Sequence, residues 1–379
     1  MKQRHTLFAG WVLLVVVWVG PAVAEPAIGE TILRPSRTLG AESDRSAAVA
    51  FGDVDGDGDL DLVVANGRHW AQQNELYLNS GSGFFGLSRP LGEERATSYA
   101  APLADLDGDG DLDIAVVNDR VRNMIYLNDG TGRFVAAGPF GQPASASRGL
   151  TLADMNGDGR ADLVVTNRRE QNWIYFNDGE AGFAQAKPFG TREDSTISVA
   201  AADLDGDGDL DLALANRDGQ PNFCYLNDGT GTLEQGAAFG TGTDETRAVA
   251  VADINGDGNP DHVSAHNGEP NGIHFGDGRG GFENAAVFGR ADGKSFAVRV
   301  ADLDRDGDAD IVIGNAGSEN AIFLNDGTGR SFAAHRFGDP QGITYGLAVG
   351  DVNADDWIDI GVANSDGFNR IYRNILGQR

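Results

Sequence analysis

Residues 105–113 read DLDGDGDLD, and this nine-residue stretch decides the fold because the chain repeats it. Further copies run from Asp53 to Asp61 (DVDGDGDLD), Asp154 to Asp162 (DMNGDGRAD), Asp203 to Asp211 (DLDGDGDLD), Asp253 to Asp261 (DINGDGNPD), Asp302 to Asp310 (DLDRDGDAD) and Asp351 to Asp359 (DVNADDWID). Their first aspartates lie 52, 49, 49, 50, 49 and 49 residues apart. A period near 50 belongs to propeller blades or arrays, whose units bury their cores only against neighbours.

The loop's chemistry is that of a hard cation. Aspartate or asparagine at positions 1, 3, 5 and 9, with glycine at position 6, gathers several oxygens on a tight turn, and position 7 adds a main-chain carbonyl. Calcium takes six to eight such oxygens, and no His or Cys accompanies the loops to favour zinc or copper. The expected ligand positions in the first two loops are Asp53, Asp55, Asp57, Asp59 and Asp61, then Asp105, Asp107, Asp109, Asp111 and Asp113. The third and fourth loops supply Asp154, Asn156, Asp158, Arg160 and Asp162, then Asp203, Asp205, Asp207, Asp209 and Asp211. The fifth and sixth supply Asp253, Asn255, Asp257, Asn259 and Asp261, then Asp302, Asp304, Asp306, Asp308 and Asp310. Arg160 and Asn259 sit at position 7, where only the backbone is needed. The seventh loop supplies Asp351, Asn353, Asp355 and Asp359, but Asp356 replaces its turn glycine, so it is expected to bind weakly or stay empty. Up to seven Ca2+ are expected. An EF-hand would need Glu at position 12, where these loops carry Val64, Val116, Val165, Leu214, Ser264, Ile313 and Val362.

Around each loop the pattern is that of strands. A small-residue strand precedes it, as in Ala248 to Val251, and an apolar one follows, as in Leu212 to Ala215. A third strand such as Trp173 to Phe176 closes on Asn-Asp-Gly, and a fourth runs from a Phe to Phe-Gly, as from Phe282 to Gly289. Four strands in each of seven units give an all-β, seven-bladed β-propeller with four-stranded antiparallel blades. Repeats start near residues 47, 99, 148, 197, 247, 296 and 345. The chain ends after the third strand of the seventh unit, while Ile32 to Gly40 (ILRPSRTLG) reads as a fourth strand. That N-terminal strand is expected to complete the last blade and close the ring.

Residues 1–24 read as a secretory signal: Lys2 and Arg4, an apolar run from Leu7 to Val19, and Ala22-Val23-Ala24 before the cut. The propeller is then residues 25–379, a monomer secreted to the periplasm or the extracellular space, with no membrane span after cleavage. Cys224 is the single cysteine, so metal loops stand where an exported chain would otherwise carry disulfides. Net charge is −28; loss of Lys2 and Arg4 makes it −30, and seven divalent ions would return fourteen charges to leave −16. That acidity excludes a nucleic-acid footprint.

With Phe140-Gly141, Phe189-Gly190, Phe239-Gly240, Phe288-Gly289 and Phe337-Gly338 closing successive units, and Leu39-Gly40 and Leu91-Gly92 as variants, the chain resembles the FG-GAP and VCBS repeat family. The resemblance covers about residues 32–377. It includes the calcium-bearing blades of integrin alpha-subunit propellers, although the Gly-Ala-Pro half of that pattern is missing here. It implies a scaffold whose members range from adhesion and lectin propellers to polysaccharide-cleaving enzymes.

Loops opposite the acidic ones carry different chemistry: Arg68, His69 and Trp70, then Arg120 and Arg122, Arg168 and Arg169, and Arg217. Positions six residues before the first aspartates add Tyr99, Arg148, Arg247, Phe296 and Tyr345 near the channel mouth. Guanidinium forks bind carboxylates and sulfates bidentately and rings stack on sugars, so a ligand site is expected at Trp70, Tyr99, Arg122, Arg148, Arg168 and Arg217. The expected function is a calcium-binding module for a glycan or extracellular protein, anionic in character. The alternative is a polysaccharide lyase or glycoside hydrolase on the same propeller, although no serine nucleophile elbow, phosphate loop or cofactor fingerprint is present. Blade 5 alone has His262, His266 and His274, with His266 and His274 flanking one hairpin loop.

Overall fold

In a computed structural model that describes residues 32–378, each repeat becomes one antiparallel sheet, and seven sheets form a closed ring of blades. The innermost strands are Ser46–Gly52, Ser147–Ala153, Thr196–Ala202, Thr246–Ala252, Ser295–Ala301 and Thr344–Gly350. In blade 2 the inner strand is split into Ser98–Ala100 and Leu103–Ala104, because Pro102 has no N–H to continue the ladder. Crowding at the axis explains the small residues: a β-carbon on Gly346 would stand 2.6 Å from the Cα of Ala48 in the neighbouring blade.

The second strands lie between two neighbouring blades, so Asp61–Asn66, Asp113–Asn118, Asp162–Asn167, Asp211–Asn216 and Asp310–Asn315 are buried throughout. Their near-continuous apolar runs follow from burial on both faces. The Phe-Gly pairs also act between blades. Phe140 packs edge-on to Tyr175 at 6.1 Å, Phe189 to Tyr225 at 6.1 Å and Phe337 to Tyr372 at 5.0 Å. The glycine that follows turns the chain away with positive φ, 72° at Gly141, a conformation that costs glycine least.

Leu33–Leu39 pairs antiparallel with Asn369–Asn374, bringing Leu33 opposite Asn374 and Leu39 opposite Asn369. Both leucines are buried, and the strand covers an edge that would otherwise be open to another chain. The expected leader lies outside the described residues. Among those described, no helix is long and apolar enough to cross a membrane.

Asparagines do more here than turn the chain. At the end of the third strand, Asn128 Nδ2 donates to the carbonyl of Val54 at 2.7 Å, and Asn325 to that of Ile254 at 2.7 Å, in each case reaching the acidic loop of the preceding blade. On the opposite face, Asn74 Nδ2 donates to Ser98 Oγ at 3.0 Å and Asn222 to Thr246 Oγ1 at 2.9 Å, both on the following blade. The ring is therefore laced on both faces by buried amides.

Candidate functional site: acidic loops and an arginine-lined channel mouth

Inner strands run towards the acidic loops, so all seven loops share one face. The position 1 carboxylate organises each turn: Asp53 accepts from the N–H of Gly56 at 2.8 Å and of Gly58 at 3.0 Å. The position 9 carboxylate is buried and clamps the loop to the sheet. Asp310 accepts from Leu303 N and Asn325 N, both at 2.8 Å. Burial, only partly offset by these N–H groups, pushes Asp61, Asp162, Asp211 and Asp261 up to about 6, and Asp310 and Asp359 up to about 7.

Three carboxylates converge in several loops. One oxygen from each lies within 4.8 Å of the others for Asp53, Asp55 and Asp57, for Asp105, Asp107 and Asp113, for Asp203, Asp205 and Asp211, and for Asp302, Asp304 and Asp306. Asp55 Oδ1 and Asp304 Oδ1 are buried with no hydrogen-bond partner. Crowded hard oxygens with unpartnered lone pairs are a donor set that fits a hard divalent cation. In the third loop the Arg160 guanidinium turns back onto Asp158 at 2.7 Å and so already neutralises one of the position 5 carboxylates. The seventh loop keeps the shared turn even without its glycines, holding Ala354 at φ 55° and Asp356 at φ 67°, conformations strained for such residues.

At the opposite face a cavity of about 480 Å³ opens into the central channel. It is lined by Arg68, Arg148, Arg168, Arg217, Arg247 and Arg299, with Tyr99, Phe296 and Tyr345 between them. Four of the six residues expected from the sequence, Tyr99, Arg148, Arg168 and Arg217, meet here. Trp70 and Arg122 do not line it: Trp70 is 64% exposed beneath the Arg45 guanidinium, and Arg122 is exposed on its loop. Arg299 was missed, although it stands where the other inner strands have Ala50, Pro102, Thr151, Ala200, Ala250 and Ala348.

Planar groups are stacked around this mouth. The Arg68 guanidinium lies 3.2 Å from the Tyr345 ring centre and Arg148 lies 4.3 Å from that of Tyr99, while Arg247 lies 5.3 Å from Phe296. Some charges are paired. Asp218 takes Arg168 at 2.9 Å, Arg217 at 3.0 Å and Arg169 at 3.2 Å, Asp119 takes Arg148 at 2.8 Å, and Glu245 takes Arg247 at 3.1 Å. Among the described residues Arg68 and Arg299 have no carboxylate partner. Arg299 reaches water through the open bore while ringed by protein, its Nη1 donating to the carbonyl of Val298 at 2.8 Å. Burial holds Arg68 and Arg247 below the ordinary guanidinium value, and the Nε atoms of Arg168 and Arg247 are buried without partners. Such desolvated donors suit a bidentate anion.

A smaller cavity of about 160 Å³ lies between blades 5 and 6 against Phe288, Phe323 and Phe332. Arg290, Arg336 and Glu319 also line it. The blade 5 histidines stay close to one another: a β-carbon on Gly272 would stand 3.0 Å from His274 Nε2 and 3.6 Å from His266 Cε1. His262 and His274 are cross-strand partners packed on Phe239 and Phe282, and burial lowers them to about 3 and about 4. They are neutral core residues standing where other blades have aliphatic or aromatic side chains.

The fold and its loops define a seven-bladed propeller with one acidic and one basic opening. The FG-GAP-like repeat model matches residues 53–116, 105–165, 154–214, 203–264, 256–313 and 302–362, and the chain belongs to that family. No curated protein matches the sequence. Two crystal structures of BBS1N in complex with ARL6DN, soaked with mercury and with lead, superpose with TM-scores of 0.62 and 0.63 at 13% and 14% identity. Each covers 91% of this chain and 97% of theirs. YCF48 from Cyanidioschyzon merolae gives 0.58 at 10% identity over 90% of this chain and 99% of its own. At such identities the likeness is one of fold.

Proposed function

We propose that this protein is an exported, calcium-stabilised propeller that binds an anionic glycan, or an acidic segment of an extracellular protein, at the channel mouth. The observation that carries the reading is the convergence of six arginines from five blades on one cavity in a chain of net charge −28. Sulfate or uronate groups would take the guanidinium forks of Arg68 and Arg299, which lack carboxylates, and sugar rings would lie against Tyr99 and Phe296. Calcium would be held by the position 1, 3, 5 and 9 side chains and the position 7 carbonyl. Its contribution is to neutralise carboxylates that the fold crowds together, not to touch the ligand.

A second reading, a polysaccharide lyase or glycoside hydrolase, is favoured by one contact. His69 Nδ1 lies 3.4 Å from Tyr99 Oη at the rim of the cavity, and burial, then the Arg68 and Arg148 charges, hold the imidazole below its usual value. A neutral imidazole beside a phenol and several guanidiniums is a set able to move a proton next to a carboxylate. An array of sulfated, uronate and neutral oligosaccharides tests the binding reading, which expects retention of the acidic members only. An ultraviolet assay for unsaturated uronide and a reducing-end assay on the retained glycans separate binder from enzyme.

A further inference from the structure

In six blades the second strand ends in asparagine, and that side chain makes the same two hydrogen bonds. Its Nδ2 donates to a carbonyl at or just before the start of the third strand, at 2.6–2.9 Å: Asn66 to Gln73, Asn118 to Arg122, Asn167 to Gln171, Asn216 to Pro221, Asn315 to Glu319 and Asn364 to Phe368. Its Oδ1 accepts from a Ser or Thr of the first strand, as from Ser46 at 2.6 Å and Thr196 at 2.7 Å. Blade 5 has His266 instead. Its Nδ1 reproduces the first bond, 2.8 Å from the carbonyl of Pro270. A carbonyl only accepts, so Nδ1 carries the proton and Nε2 the lone pair. That Nε2 is buried without any partner, on a residue only 5% exposed.

Two carboxylates stand beside the imidazole. One ligand atom from each of Asp244, His266 and Glu269 lies within 4.8 Å of the others. Asp244 is 2% exposed and accepts from Thr241 on both oxygens, from its N–H at 2.6 Å and from its hydroxyl at 2.5 Å. At the place of Glu269, Gln72, Glu170 and Gln220 accept main-chain N–H groups of Arg45, Ala146 and Ser195 at 2.7, 3.1 and 2.6 Å. Among the described residues Glu269 has no such hydrogen bond. Blade 5 also has Gly272 where others carry Glu75, Met124, Trp173, Phe223, Ala321 and Arg370, and a β-carbon there would stand 3.6 Å from His266 Cε1.

We propose that His266 Nε2, Asp244 and Glu269 form a binding site for one zinc-like transition-metal dication on the face opposite the acidic loops. An imidazole nitrogen with two carboxylates suits zinc and not calcium, and it leaves a fourth position for water or a ligand group. The Pro270 carbonyl holds the imidazole in the tautomer that presents Nε2, as outer partners do at histidine metal sites. The asparagine blades make no such set, because their Oδ1 is already engaged.

The test uses the full chain saturated with calcium, dialysed against zinc and analysed for bound metal. His266→Asn installs the residue of the other six blades, so the fold should be kept. The expected result is one zinc per chain fewer in His266→Asn at an unchanged melting temperature, and visible cobalt absorption present in the parent and lost in the variant. Glu269→Gln provides the same test should His266→Asn fail to fold: zinc loss at unchanged melting supports the site. Equal zinc content in parent and folded variant, or no zinc in the parent, would overturn it.

Discussion

Asn79 of blade 1 donates from Nδ2 to the main-chain carbonyl of Val352 in the acidic loop of blade 7 at 2.7 Å, across 273 residues of chain. The same amide reaches the Leu60 carbonyl at 3.0 Å, and Asn79 N donates to Asp61. One side chain thus joins the two ends of the ring at the base of an acidic loop. Asn79→Ala leaves two carbonyls short of a donor, and a loss of roughly 1–3 kcal/mol in unfolding free energy is expected. Denaturant melts of the variant beside Asn79→Asp, which cannot donate when ionised, check it.

Deleting residues 33–39 uncovers the Asn369–Asn374 edge and removes Leu33 and Leu39 from two core clusters. The truncated chain is expected to melt far lower and to associate through the open strand. Light scattering of the parent and truncated proteins reads the outcome; a stable truncated monomer with parental melting would contradict this closure.

Without a cation the acidic loops are carboxylates crowded within a few ångströms of one another. Melting is expected to fall on adding chelator and recover with calcium, since no disulfide opposes loosening. The third and seventh loops should fill last, the one because Arg160 holds Asp158, the other because Ala354 and Asp356 strain its turn. Calcium titration with elemental analysis of Arg160→Ala, expected to bind more tightly than the parent, checks the order.

Asp218 gathers Arg168, Arg169 and Arg217 and accepts from Ser195 Oγ at 2.9 Å. Burial works to raise its pKa, but the Arg168 and Ser195 hydrogen bonds and the Arg217 charge bring it far below the usual carboxylate range. Because the folded value is depressed, its stabilisation is present above the unfolded value near 4 and is lost as the pH falls below it. Asp218→Asn should cost roughly 1–3 kcal/mol at neutral pH, with the gap to the parent closing below about pH 4. The same variant frees guanidiniums and should tighten anion binding.

Much of this was legible in a linear reading because it is local. The nine-residue loop, the alternating strands and the Phe-Gly pairs each declare themselves within a few positions, and their period counts the blades. Leu33–Leu39 was legible for the same reason, as a fourth strand standing before the first. Partners across blades were not: nothing around Asn74 in the sequence points to Ser98, and only the folded ring brings its amide there. Trp70 and Arg122 miss the channel because a loop position does not fix where its side chain goes. Arg299 was visible as one large cation in a row of small inner-strand residues, a signal a search confined to the loops does not meet.

The measurement closest to the central claim is calorimetric binding of a sulfated or uronate oligosaccharide retained on the array, by parent, Arg68→Ala and Arg299→Ala at two salt concentrations. Losing one charge-assisted contact is expected to weaken binding about 10- to 100-fold in each variant at low salt. Parent affinity should fall as salt rises, since exposed charges are screened over about 8 Å at physiological ionic strength. Affinity that ignores both substitutions and salt, yet falls when exposed acidic-loop residues are changed, would move the site to the other face and contradict the account.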